Sequence, residues 1–155
     1  MGLDMYLKRK KYVGAKYTKP QGEINIQIDG KKLPIDFNKV SYIIEDAGYW
    51  RKANAIHKWF VDKVQDGIDD CKEYDVSIEQ LEELLDLCKE VDDNPELADE
   101  LLPTVDGFFF GSTEYDEYYF EDIKRTIDML EEILNEEKDY NELDFYSEFT
   151  YQSSW

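Results

Sequence analysis

Tyr74-Asp75-Val76-Ser77-Ile78-Glu79-Gln80-Leu81-Glu82-Glu83-Leu84-Leu85-Asp86-Leu87-Cys88 changes its period part-way along. Tyr74 to Val76 reads as a short strand. From Ser77 onward the apolar positions 78, 81, 84, 85 and 88 recur at helical spacing and define one buried stripe. Ser77 followed three residues later by Gln80 is the signature of a capping box. Cys88 closes the stripe, which makes it a core side chain rather than a redox thiol. A strand running straight into a capped amphipathic helix calls for a fold that mixes the two.

Downstream, Pro95 to Leu102 predicts a short helix stopped before Pro103. Asp106 to Gly111 is an apolar run closed by glycines and reads as a buried strand. Ser112 or Thr113 then caps a third main helix over about 115–137, with Ile123, Ile127, Leu130 and Leu134 on one face. Asp144 to Gln152 alternates and reads as a last strand. Upstream, Tyr49 to Gln65 predicts the first main helix, with Tyr49, Ala53, Ile56, Phe60 and Val64 on its core face and Gly67 ending it. Val40 to Ile44 is a strand or the lead into that helix. Glu23 to Ile28 alternates, and Asp29-Gly30 separates it from a second run, Lys31 to Ile35. Asp-Gly between two such runs predicts a hairpin, and Pro34 puts the second strand at an edge. Leu3 to Leu7 is an opening strand continuing to about Val13. The whole is a single domain, 1–155: an α+β fold with a small, mainly antiparallel sheet packed by three main helices.

A chain of 155 residues with 42% apolar composition can bury a core without staples. No window approaches a membrane span, and Met1 to Leu7, followed by Lys8-Arg9-Lys10-Lys11, reads in the reverse order of a signal peptide. With two cysteines 17 residues apart and no other thiolate pattern, a reducing cytoplasm is the expected location. Net charge is −19 and unevenly spread: residues 1–63 carry 13 basic and 7 acidic side chains, and residues 64–155 carry 5 and 30. Either the two parts fold against each other or the acidic part offers a field to a basic partner. Nucleic acid is not an expected partner, because phosphate neutralisation needs clustered Lys/Arg, and only Lys8 to Lys11 with Lys16 and Lys19 offer any.

The lone histidine, His57, shares a helical stripe with Trp50, Asn54 and Val61, beside Arg51 and Lys52. Trp can stack on a planar ligand, Arg can hold an anion, and Asn and His can hydrogen-bond. The competing interpretation is that Asn54 and His57 are satisfied internally. Ser112, Thr113, Tyr115 and Tyr119 form a second candidate region. The Gly-Ser-Thr turn before a helix looks like a phosphate cradle, but it has no lysine, and Glu114, Asp116 and Glu117 already occupy the positive end of the helix. No catalytic residue, metal site or cofactor is assigned: G-x-S-x-G is missing, Cys71 with His57 has no supporting motif, Asp69-Asp70 is uninformative among so many carboxylates, and calcium-loop spacing is absent.

Four stretches, Met1 to Leu7 (MGLDMYL), Tyr49 to Phe60 (YWRKANAIHKWF), Gly107 to Tyr119 (GFFFGSTEYDEYY) and Tyr151 to Trp155 (YQSSW), resemble a group of small hypothetical proteins of bacteriophages, prophages and their hosts. The resemblance spans nearly the whole chain and assigns no functional residues. It implies an accessory protein acting in the bacterial cytoplasm. Two functions are then expected to compete: an interaction protein that antagonises a host factor through acidic surface, and a binder of a small nucleotide-like molecule. The first requires the carboxylates on one exposed face and the second a concave pocket. A homodimer is compatible with both.

Overall fold

In the computed structural model, which describes residues 2–14, 25–142 and 146–155, the strands are β1 (Asp4–Tyr12), β2 (Gln27–Ile28), β3 (Lys31–Lys32), β4 (Tyr42–Arg51), β5 (Tyr74–Val76) and β6 (Ser147–Ser154). The helices are α1 (Asn54–Lys63), α2 (Ile78–Asp93), α3 (Ala98–Leu101) and α4 (Glu117–Glu142), with 3-10 turns at 37–39 and 95–97. Four strands form one antiparallel sheet in the order β4-β1-β6-β5, and β2 with β3 forms a separate two-stranded ladder. The fold is α+β. No helix among the described residues is long and apolar enough to cross a membrane.

Alternation along β1 sets the two faces of the sheet. Met5, Leu7, Arg9 and Lys11 point inward and are buried, whereas Tyr6 and Tyr12 point outward and are exposed. The register passes this pattern to the neighbours: Met5 sits beside Trp50 on β4 and Ser153 on β6, and Leu7 beside Gly48 and Tyr151. A bulge opposite Leu7/Lys8 adds a residue to β4, so that both Glu45 and Trp50 still face inward. All the helices cover this inner face. Phe60 of α1 stacks on Tyr151 at 3.9 Å between ring centroids, and Leu81, Leu84 and Cys88 of α2 meet Ile123 and Leu130 of α4 in the same core. Each fully buried Leu contributes about 2 kcal/mol of transfer free energy.

At the far end of the sheet an ionic cluster fastens the last turns of α4. Arg9, buried, places Nε 2.7 Å from Glu45 Oε2 and a terminal nitrogen 2.7 Å from Glu136 Oε2. Lys11 Nζ lies 3.0 Å from Glu45 Oε2 and 3.3 Å above the Tyr140 ring. Ser147 Oγ donates to Glu137 Oε1 at 2.8 Å. Burial works against both charges of the Arg9–Glu45 pair, but hydrogen bonds to Glu45 and Glu136 outweigh it and hold Arg9 above its ordinary value. Those from Lys11 and Arg9 likewise hold Glu45 below the usual carboxylate range.

The expected capping box of α2 is present: Gln80 N donates to Ser77 Oγ at 3.1 Å and Ser77 N to Gln80 Oε1 at 2.9 Å. The hairpin turn is present too, with Asp29 at φ 50° and Gly30 at φ 74°, though its strands are only two residues each. Glu23 and Ile24 of that expected hairpin, Lys16 and Lys19 of the basic patch, and Asp144 and Phe145 of the last strand lie outside the described residues. Three expectations are corrected. The first helix begins at Asn54, not Tyr49, because β4 runs on to Arg51 in register with β1 and the chain then turns at Lys52, φ 59°. Trp50 is therefore a strand residue. Asp106 to Gly111 is an irregular loop, not a strand: Phe110 N bonds back to Gly107 O, Phe108 is 95% exposed, and only Phe110 is buried. The third main helix runs from Glu117 to Glu142, and its first amides are held by Asp116, whose Oδ1 accepts from Tyr118 N and Tyr119 N at 3.1 Å, rather than by Ser112 or Thr113.

Candidate functional site

β4 ends beside the sheet's core and delivers the chain through Lys52 and Ala53 into α1. Ala53 supplies no side-chain cap, and the amides of Ala55 and Ile56 make no hydrogen bond among the described residues. The first turns of α4 lie opposite. Between them is a pocket of about 400 Å³. Arg51, Lys52 and Arg125 stand on its rim, Asn54, Tyr119 and Ile123 at its base, and Glu114, Asp116, Glu121 and Asp122 along its acidic wall. Burial raises the Asp122 carboxyl to about 6, with Arg125, 3.7 Å away, pulling the other way. The pocket thus has donors on the α1 side and carboxylates on the α4 side.

Of the candidate residues, Arg51, Asn54, Ser112 and Tyr119 reach this pocket and Trp50, His57, Thr113 and Tyr115 do not. Trp50 is 1% exposed; its Nε1 donates to Thr126 Oγ1 on α4 at 2.8 Å, and its ring meets Phe60 edge-on. It can stack on no ligand. Asn54 spends its amide on the fold: Nδ2 donates to Phe110 O at 3.1 Å and Ser112 O at 2.7 Å, and Oδ1 accepts from Val105 N at 3.1 Å. This clamp holds the 105–112 loop against α1. Gly111 completes it, at φ 89° with the space where a Cβ would stand 3.2 Å from Lys52 Cβ. Tyr115 takes Thr104 N at 3.3 Å, and Tyr119 donates to Leu102 O at 2.9 Å. Burial pushes the Tyr119 phenol up, well beyond its ordinary range.

His57 is 1% exposed and satisfied on both nitrogens. Nε2 lies 3.0 Å from Asp69 Oδ2 and Nδ1 2.8 Å from the Tyr151 hydroxyl. A carboxylate only accepts, so Nε2 donates to Asp69, and Nδ1 completes the ring's bonding with the Tyr151 hydroxyl. Burial first, then Asp69 and Cys71, raise the Tyr151 phenol well above its ordinary value and keep its proton in place. Asp69 Oδ1 also accepts from Trp155 Nε1 at 3.0 Å. The line of carboxylate, imidazole and hydroxyl resembles a catalytic relay, but Tyr151 is 0% exposed and none of the three borders the pocket. The group ties α1, the 66–73 loop and the C-terminal strand together. Asp69 is the participant that sequence spacing could not single out.

The second notable surface is electrostatic. Residues 78–142, which hold α2, α3 and α4, carry 23 acidic and 4 basic side chains, a net −19; the remaining residues carry 14 of each. The whole net charge therefore belongs to the helical segment. α2 and α4 run antiparallel, with Lys89 2.7 Å from Glu131 and Lys124 3.9 Å from Asp92 bridging them. Glu82, Asp86, Asp128 and Glu132 are exposed and make no ion pair within 4 Å among the described residues. No group of three or more His, Cys, Asp or Glu among the described residues is arranged to hold a metal ion. No family model matches the chain, and no match was found among the curated proteins or the solved structures.

Proposed function

We propose that this chain is an interaction protein that presents its acidic helical layer to a basic partner. The observation that carries this is the charge partition: −19 on residues 78–142 and zero on everything else. A neutral sheet backed by a layer of such charge projects a one-sided negative field, which speeds encounter with a positively charged surface and selects against acidic ones. The resemblance to small phage and prophage proteins supports a bacterial host protein, of the kind that itself handles nucleic acid, as that partner. Capture from a bacterial lysate at about 50 mM salt, where the Debye length is over ~10 Å, tests it. The comparator is a variant neutralised at Glu82→Gln, Asp86→Asn, Asp128→Asn and Glu132→Gln. A protein held by the parent, lost by the variant and released by salt is the expected result. Retention that ignores both salt and the four substitutions refutes the proposal.

A second function, binding of a small nucleotide-like ligand, is favoured by the pocket at the α1 N-terminus. Arg51, Lys52, Arg125 and two open amides suit an anionic group, and the opposite carboxylates suit hydroxyls or an amine. Thermal-shift measurements with nucleoside phosphates on the parent and on Arg51→Ala check this; equal shifts, or none, count against it.

A further inference from the structure

We propose that the face of the main sheet that none of the described helices covers is the contact between two copies of this chain. The inference is independent of the acidic-layer function, which uses the opposite side of the molecule. On the outward side of β1 stand Tyr6, Lys8, Lys10 and Tyr12, and beside them on β4 stand Tyr49, Asp46, Ile44 and Tyr42. Tyr6 and Tyr49 are in contact at 5.5 Å between ring centroids, and Tyr12 and Tyr42 at 5.3 Å. All four rings and Ile44 are exposed, Ile44 by 57%. No helix among the described residues covers this face. Two aromatic pairs flanking an isoleucine are the anchors that interfaces favour, because Tyr covers much area and loses little entropy on ordering.

Charge identifies the occupant. The three long strands turn Lys8, Lys10 and Arg51 outward against Asp4, Asp46 and Glu148; Glu73, 2.7 Å from Lys10, and Asp75 of β5 bring the face to a net of −2. Two copies carrying −19 each repel one another through the helical layers. Face to face across the sheet they meet on ground that carries little of that charge, with opposite charges available on a surface that a two-fold axis sets against itself. Packed as a sandwich with the sheets about 10 Å apart, the acidic layers lie outermost, roughly 30 Å from each other and several Debye lengths at ~0.15 M salt. A strand spacing of about 4.8 Å and a rise of about 3.4 Å per residue give the three-strand face a projected area of roughly 400 Å². Side-chain relief adds to that. The interface falls at the small end of specific contacts, so the dimer forms in the micromolar range rather than the nanomolar.

The test is sedimentation equilibrium of the full chain over a concentration series up to ~0.5 mM, at about 0.05 M and 0.5 M salt, conditions that leave or remove residual repulsion between the acidic layers. A monomer–dimer equilibrium that tightens with salt is expected. Ile44→Glu, which puts a carboxylate among the aromatic anchors of each copy, should weaken it at least about tenfold. Phe108→Glu, on the exposed 106–111 loop, should leave it unchanged. Should Ile44→Glu fail to fold, Lys8→Glu makes the same face more negative and serves in its place. A monomer throughout overturns the proposal. So does a dimer that both face variants preserve, or one that loosens with salt, since that dependence belongs to basic segments docking on acidic layers.

Discussion

Replacing Asn54 by Ala removes three hydrogen bonds at once and tests whether this side chain is a clamp or a ligand-reading group. The bonds, 3.1 Å to Phe110 O, 2.7 Å to Ser112 O and 3.1 Å from Val105 N, join α1 to the 105–112 loop from a residue only 4% exposed. Each contributes about 1 kcal/mol net. Ser112 is exposed and its carbonyl can turn to water; Phe110 is buried, and leaving its carbonyl alone adds about 1 kcal/mol more. The expected cost is about 4 kcal/mol. With a urea dependence of about 2 kcal/mol/M for a domain of this size, the unfolding midpoint should fall by about 2 M with unchanged slope. Asn54→Asp keeps the acceptor for Val105 N but aims oxygen at two carbonyls, so it should destabilise at least as much as Ala. A midpoint shift below about 0.5 M, or an Asp variant near the parent, refutes the clamp.

Three further outcomes follow from the same geometry. Asp122 keeps its proton in the fold to about pH 6, whereas an unfolded aspartate releases it near ~3.9. Folding therefore takes up a proton between those values, and stability falls as pH rises through them. Asp122→Asn should raise Tm relative to the parent at pH 7 and match it at pH 4, and calorimetry showing the same difference at both refutes the assignment. Ser77→Ala removes the side-chain half of the capping box, the acceptor for Gln80 N, and should cost about 1 kcal/mol in chemical unfolding; no measurable loss would show that the α2 terminus does not depend on this cap. Cys88 is fully buried with its thiol pushed up to about 12, and Cys71 is half-buried. One thiol should react promptly with a maleimide in the native protein and the second only on unfolding, with peptide mapping to assign them.

The parts of the fold written in local sequence were readable from it. α2 has its cap, its stripe and the strand before it within twenty residues, and burial along β1 alternates over its whole length. The Asp-Gly turn needs nothing beyond two residues that tolerate positive φ. Errors arose where a tertiary contact overrode a local pattern. Tyr49 satisfies a helical stripe with Ala53 and Ile56, and Trp50 another with Asn54 and His57, but pairing with β1 makes both strand residues instead. The Phe108-Phe109-Phe110 run looks like a buried strand, but its one backbone bond to a strand segment is Leu3 N to Phe109 O, and it sends Phe108 into solvent. The candidate site divided for the same reason. Asn54 and His57 were found by residue type, but their partners, Val105, Ser112, Asp69 and Tyr151, are distant in sequence.

Charge shows how sequence order and spatial order differ. Along the chain, the asymmetry lies between a mildly basic N-terminal part and an acidic remainder, and the division near residue 63, at the end of α1, separates no layers of the molecule. In space it lies between layers. β6 returns from the acidic part to the middle of the sheet, and β1 carries basic residues on both of its faces. Its inward Arg9 and Lys11 are used up on Glu45 and Glu136 under the last turns of α4. Its outward Lys10 pairs with Glu73 at 2.7 Å, and Lys8 stands beside Asp46 on the open face. One strand therefore both anchors the most acidic helix to the core and offsets acidic charge on the surface opposite it. Removing Arg9 would destabilise the fold, because the buried Glu137 loses the cation 3.4 Å from it, whereas Glu45 and Glu136 are open enough to turn to water. Removing an outward cation leaves the fold and alters what can approach the face. The two rows of β1 thus separate stability from recognition within nine residues.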